Sequence, residues 1–141
     1  MIDGGKITDT ENIKKYLFAG KSTITIQSTE TGKHYTYKVK KHKEKDMFFV
    51  SVLSGSNNDS DYTYMATIFE GGKLRLTKKS RANESTPSYI AFNWFYRNLL
   101  FNEEKIKMLN VYHDGTCGRC GRKLTTPESV EYGLGPHCRN K

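Results

Sequence analysis

The stretch "STITIQSTETGKHYTYKVK", Ser22 to Lys40, fixes the architecture around which the rest of this chain is read. Ile24 and Ile26 alternate with threonines, and Tyr35, Tyr37 and Val39 alternate with His34, Thr36, Lys38 and Lys40. A two-residue period sends alternate side chains to opposite faces, so each half reads as a strand with one apolar side. The "TETG" between them, ending in Gly32, supplies the turn. The result is a β-hairpin with one dry face and one wet, basic face.

Working downstream, "DMFFVSVL" is apolar on both faces and reads as a central strand. "DYTYMATIFE" follows it after the polar loop "SGSNND", and Gly71-Gly72 then gives a tight turn into "KLRLTKK". No helix-length segment interrupts these five strands, so an antiparallel meander is the economical topology. It could be an open sheet or a partly closed barrel. Next, "STPSYIAFNWFYRNLLFN" carries a cap at Ser85 or Thr86, Pro87 in the first turn, and enough apolar density for about four helical turns. On a wheel Tyr89, Phe92, Phe95, Tyr96, Leu99 and Leu100 form a wide face suited to the sheet, while Ile90, Trp94 and Phe101 form a second stripe that also wants cover. A last strand, "IKMLNVYH", leads into the cysteines.

Upstream, "TDTENIKKYLFAGK" reads as a short amphipathic helix with Thr8 and Glu11 as a capping box, Ile13, Tyr16 and Leu17 on one face, and Gly20 at its end. The expected fold class is therefore α+β. It comprises a five-stranded antiparallel meander with one long helix (about residues 86–102) packed on it, plus a small C-terminal zinc-knuckle, treble-clef-like module. In domain terms, residues 1–20 form a helical segment, 21–112 the sheet and helix, and 113–141 the metal module.

Among 141 residues, 23 Lys and Arg oppose 15 Asp and Glu, a net charge of +8. Residues 1–20 are neutral, 21–84 carry +5 and 85–141 carry +3, so the excess sits on the strands and the tail. Such a balance suits an anionic partner. Mean hydropathy is −0.71, yet 12% of residues are aromatic, which separates the chain from disordered polyelectrolytes. The N-terminus lacks an apolar run behind a basic one, and no window approaches a membrane span. A cytoplasmic protein with no membrane partner is expected.

In a reducing compartment a Cys-x-x-Cys pair points to metal or redox chemistry before a disulfide. All three cysteines lie in "CGRCGRKLTTPESVEYGLGPHC", Cys117 to Cys138. Cys117-Gly-Arg-Cys120-Gly-Arg has the form of a zinc knuckle, in which two thiolates grip one metal while glycines let backbone amides point at sulfur. Thr125, Pro127 and Glu128 then suggest a helical turn running to Tyr132 and stopping at Gly133, and "GLGP" bends the chain so that Cys138 returns to the knuckle. One structural zinc ion is the expected cofactor. Its fourth ligand is assigned to His113, because His137 adjoins Cys138 and neighbouring side chains rarely converge on one ion; His137 is the alternative.

The same residues resemble a short zinc-binding domain of unknown function found in many phage and bacterial proteins. Its pattern is C-x-x-C-G-R-x-L-T-x-P-x-S followed by G-x-G-P-x-C. Cys117, Cys120, Gly121, Arg122, Leu124, Thr125, Pro127, Ser129, Gly133, Gly135, Pro136 and Cys138 match it. The resemblance spans about the last fifth of the chain. It implies a zinc-binding fold and a mobile-element setting, and no activity.

Catalysis finds no support in the residues. Zinc deaminases need a His-x-Glu and a Pro before their cysteine pair, and neither is present. "EGGK" joins strands instead of opening a helix, so there is no phosphate loop, and no nucleophile–base set or small-molecule site can be placed. The expectation is a non-enzyme that binds nucleic acid largely through phosphates. Its candidate contacts are Lys38, Lys40, Lys41 and Lys43 on one ridge, Lys73, Arg75, Lys78, Lys79 and Arg81 on another, and Arg119 and Arg122 on the knuckle. Tyr62, Tyr64 and Tyr112 could offer stacking surfaces. The rival expectation is a phage-encoded, anti-defence type of inhibitor that binds a host protein through an apolar anchor such as Trp94 or the loop Ser54–Asp61.

Overall fold

A computed structural model describes residues 5–55, 61–121 and 134. It is an α+β fold with one antiparallel sheet of six strands: β1 (Lys21–Ser28), β2 (His34–Lys41), β3 (Phe48–Leu53), β4 (Tyr62–Phe69), β5 (Lys73–Arg75) and β6 (Leu109–His113). Two helices accompany it, α1 (Thr10–Leu17) and α2 (Pro87–Phe101), with a 3-10 segment at Glu103–Met108.

The meander of the first five strands forms as the alternation predicts. In the β1–β2 hairpin Ile24 faces Tyr37 and Ile26 faces Tyr35, with Gly32 at φ +75° in the turn. Gly71 and Gly72 both adopt positive φ between β4 and β5, a geometry that β-carbons disfavour and tight hairpins require. The five-strand expectation needs one correction. The last strand is not merely a lead into the cysteines but the sixth member of the sheet, paired with β1 so that Ile24 faces His113 and Ile26 faces Val111. The order is β5-β4-β3-β2-β1-β6, which leaves β5 and β6 at opposite edges and makes the sheet open. Two further differences are local. The fifth strand stops at Arg75, short of Thr77, and the N-cap of α1 is Asp9, whose carboxylate accepts from the backbone of Glu11 at 2.8 Å.

Both helices lie on one side of the sheet. From α2, Phe92, Phe95, Tyr96 and Leu99 are buried against Tyr37, Val39, Phe48 and Val50. The Phe92 ring lies 4.9 Å from Tyr37, and the Tyr37 hydroxyl donates to the Ser88 carbonyl at 2.6 Å. Tyr96 donates to Gly72 at 2.7 Å, and burial pushes its phenol up to about 12. From α1, Phe18 just beyond the helix meets both Phe48 and Tyr96, tying the two helices over the sheet. Burying a side chain such as Phe92 is worth about 1.5–3 kcal/mol by transfer alone. No helix among the described residues is long and apolar enough to cross a membrane.

Candidate nucleic-acid interface and the cysteine corner

With the helices on one side, the other face of the sheet follows from the strand register. Lys21 faces Lys40, Lys40 faces Phe49, Phe49 faces Thr67, and Thr67 faces Arg75. Directly opposed residues share a face, so these five side chains form one row across five strands. A second row runs through Thr23, Lys38, Ser51 and Tyr64. Lys73 lies two residues along β5 from Arg75 and so shares its face. The bases of β2 and β5 are three strand spacings apart, about 14 Å at 4.7–4.9 Å per strand. Lys40, Lys73 and Arg75 are exposed, and the Lys38 ammonium sits 4.3 Å above the Tyr62 ring.

Not every base anticipated on the ridges belongs to this face. Lys41 is opposite Phe48, which is opposite Ile68, so it lies in a row of the helix-covered side at the end of the sheet. Lys43 is exposed in the turn where His42 bonds to the Met47 carbonyl. Lys78 and Lys79 are exposed in a turn closed by Thr77 and Ser80, and Arg81 donates its backbone N–H to the Tyr64 carbonyl beyond the end of β5. Arg119 is exposed on the knuckle, and Arg122 lies outside the described residues. Tyr62, Tyr64 and Tyr112 are half-buried, with Tyr64 held by hydroxyl bonds to Thr67 and Thr77.

Phe49 is a residue of this face that sequence reasoning missed. A strand apolar on both faces hides it in the sequence, whereas in β3 it is Phe48, Val50 and Val52 that meet the core on the helix side. The Phe49 ring instead lies 5.7 Å from His42 and 6.4 Å from Tyr64 on the opposite side. The signal was available in the alternation of β3: Phe48, Val50 and Val52 are one set, and Phe49, Ser51 and Leu53 the other.

At the far end of the sheet, β6 delivers His113 to a buried corner beside Cys117; they are 1% and 0% exposed. The Gly115 backbone N–H donates to His113 Nδ1 at 2.9 Å, which leaves Nε2 as the nitrogen to carry a proton or a metal. The Arg119 N–H points at Cys117 Sγ at 3.5 Å, and Gly121, at φ +79°, bonds back to the Cys117 carbonyl at 2.9 Å. These are the local features a thiolate knuckle needs: an amide aimed at sulfur and a tight reversal after the second position. Cys120 is exposed, and Cys138 and His137 lie outside the described residues. His113 and Cys117 are donor types that zinc takes, and among the described residues no three metal-binding side chains gather.

Tyr16 joins this corner to the fold. Its ring is 5.6 Å from His113, and a β-carbon on Gly118 would stand 2.6 Å from it. Its hydroxyl accepts from the Thr23 N–H at 2.9 Å and donates to the Thr23 carbonyl at 2.7 Å, continuing the ladder where β6 has ended. Burial, with a smaller contribution from the charge of Asp114, pushes that phenol far above its usual range.

The second stripe of α2 is open to solvent: Ile90 is 51% exposed and Phe101 83%. Ile90, Trp94, Tyr35 and Met108 line an apolar groove of about 380 Å³ between α2 and the tip of the β1–β2 hairpin. Lys33 and Glu30 also border it.

No curated protein and no solved structure matches the chain. The C-terminal part, residues 108–141, which takes in β6 and all three cysteines, is similar to a family of unknown function, DUF6011.

Proposed function

We propose that this chain is a small, zinc-stapled, non-catalytic protein that binds nucleic acid, chiefly through phosphate contacts on the sheet face that carries no helix among the described residues, the helix-free face. The observation that supports this most is the placement of Lys38 and Lys40 on β2 and of Lys73 and Arg75 on β5, on one face and about three strands apart. Two cationic ridges at that separation bracket a strip where a polyanion can neutralise both. Cys117, Cys120 and Cys138, with His113 or else His137 as the fourth donor, would hold the zinc. When bound, zinc supplies cross-linking of this corner and no chemistry of its own.

The test is fluorescence anisotropy of zinc-replete protein against single-stranded and duplex DNA and RNA across a range of salt. Binding that persists at physiological salt, and weakens linearly on logarithmic axes as several counterions are displaced, supports the reading. No binding at physiological salt sinks it.

A second reading rests on a different observation, the stripe of exposed Ile90 and Phe101 with half-buried Trp94 between them. Exposed apolar side chains grouped along one helix face suit a protein partner, as an inhibitor of a host protein would require. In that case Trp94→Ala would weaken partner binding and leave nucleic-acid affinity unchanged.

A further inference from the structure

We propose that the nucleic acid taken by the helix-free face is an unpaired strand, and that Phe49 is the residue on which a base stacks. This inference rests on the nucleic-acid reading above and adds to it the class of strand and the residue that selects it.

Phe49 occupies β3, two strands from either edge of the meander, on the side where neither helix packs. On that side Phe49 is half-buried and stands outside the core cluster of the described residues. Leu53, four residues along β3, stands on the same side. The ring is nevertheless held in place: His42 flanks it at 5.7 Å and Tyr64 at 6.4 Å, and Tyr64 is itself fixed through Thr67 and Thr77. A ring constrained before binding loses little entropy when a base settles on it.

Its charged neighbours complete the recognition. Lys40 is directly opposite on one side, about 4.8 Å away by strand spacing, and Arg75 is two strands away on the other. Both are exposed. An aromatic ring between two cations matches the alternation of base and phosphate along a single strand. A duplex offers only its phosphates here, because its base faces are hidden within the stack. Phosphate contacts alone would use Lys40 and Arg75 and leave Phe49 without a partner. The charge of the row excludes an acid-poor apolar peptide as the better occupant.

The experiment uses the full zinc-replete chain and compares a labelled oligothymidylate with the matching dT·dA duplex, for the wild type, Phe49→Leu, Phe49→Tyr and Lys40→Gln. Leucine keeps an apolar side chain and removes the ring face. Stacking on an aromatic is worth about 1–3 kcal/mol per base, so Phe49→Leu should weaken single-strand binding by about 5- to 150-fold with the salt slope unchanged. Phe49→Tyr should bind like the wild type, and neither substitution should alter duplex binding. Lys40→Gln should lower the slope on single strands by about 0.7. Should Phe49→Leu fold poorly, Phe49→Trp provides a direct reporter: oligothymidylate should quench its emission beyond any change seen for Trp94 in the wild type. Equal losses on single strand and duplex, unchanged single-strand affinity in Phe49→Leu, or no added quenching in Phe49→Trp would overturn the proposal while leaving a phosphate-binding face intact. Failure of every nucleic acid to bind would overturn both.

Discussion

Tyr16 is where three parts of the chain meet: helix α1, the start of β1 and the cysteine corner. Gly118 has no room for a β-carbon against its ring, so Gly118→Ala must push the tyrosine or the knuckle aside. A loss of about 1–3 kcal/mol is expected, read from the urea midpoint. Tyr16→Phe removes a hydroxyl that satisfies both backbone groups of Thr23, and leaving buried partners unmet costs about 1–3 kcal/mol. A smaller, pH-dependent effect belongs to Lys14 and Glu103, which bond to each other between α1 and the 3-10 segment. The hydrogen bond to Lys14 holds the Glu103 carboxyl below its ordinary 4.5, and the bond to Glu103 holds the Lys14 ammonium above 10.5. The stabilisation is thus complete between about those two values; it fades as pH falls through the lowered carboxyl or rises through the raised ammonium. The difference in thermal midpoint between the wild type and Lys14→Met should be flat at neutral pH and shrink toward both extremes.

Among the elements, α2 separates cleanly into a buried and an exposed face. Phe92→Ala should cost about 3–5 kcal/mol, because Phe92 is fully buried against Tyr37 and Phe95. Phe101→Ser, on the exposed stripe, should stay within about 0.5 kcal/mol of the wild type in the same denaturation experiment. The helical wheel separated the two stripes, though it expected cover for the second, where Ile90 and Phe101 are exposed; period-two alternation foresaw the meander, because both patterns are local. The pairing of β6 with β1 was not legible, since Val111 lies 85 positions after Ile26 and nothing in either strand names its partner. Phe49 was obscured for a related reason. A run of Phe-Phe-Val satisfies a strand buried on both faces as well as one with an aromatic ring on an open face, and only the placement of the helices distinguishes them.

For the whole molecule, charge and cysteines were legible as chemistry but not as geometry. Composition gave the excess of +8, while the register alone distributes it, keeping Lys38, Lys40, Lys73 and Arg75 on one face and sending Lys41 to the other. The knuckle spacing proposed zinc donors, and the fold adds that two of them, His113 and Cys117, are buried in the corner that Tyr16 braces. If zinc cross-links that corner, chelation should lower the thermal midpoint of the wild type and have little effect on Cys120→Ser, with metal analysis returning one zinc per chain for the wild type only. The claim that unites these observations is that the helix-free face is the working surface. Its most direct test is a nitrogen–proton correlation spectrum of the labelled protein titrated with an oligonucleotide at physiological salt. The account predicts shifts concentrated at Lys40, Phe49, Ser51, Thr67 and Arg75, with the amides of Ile90, Trp94 and Phe101 unmoved; shifts confined to α2, or none at all, would contradict it.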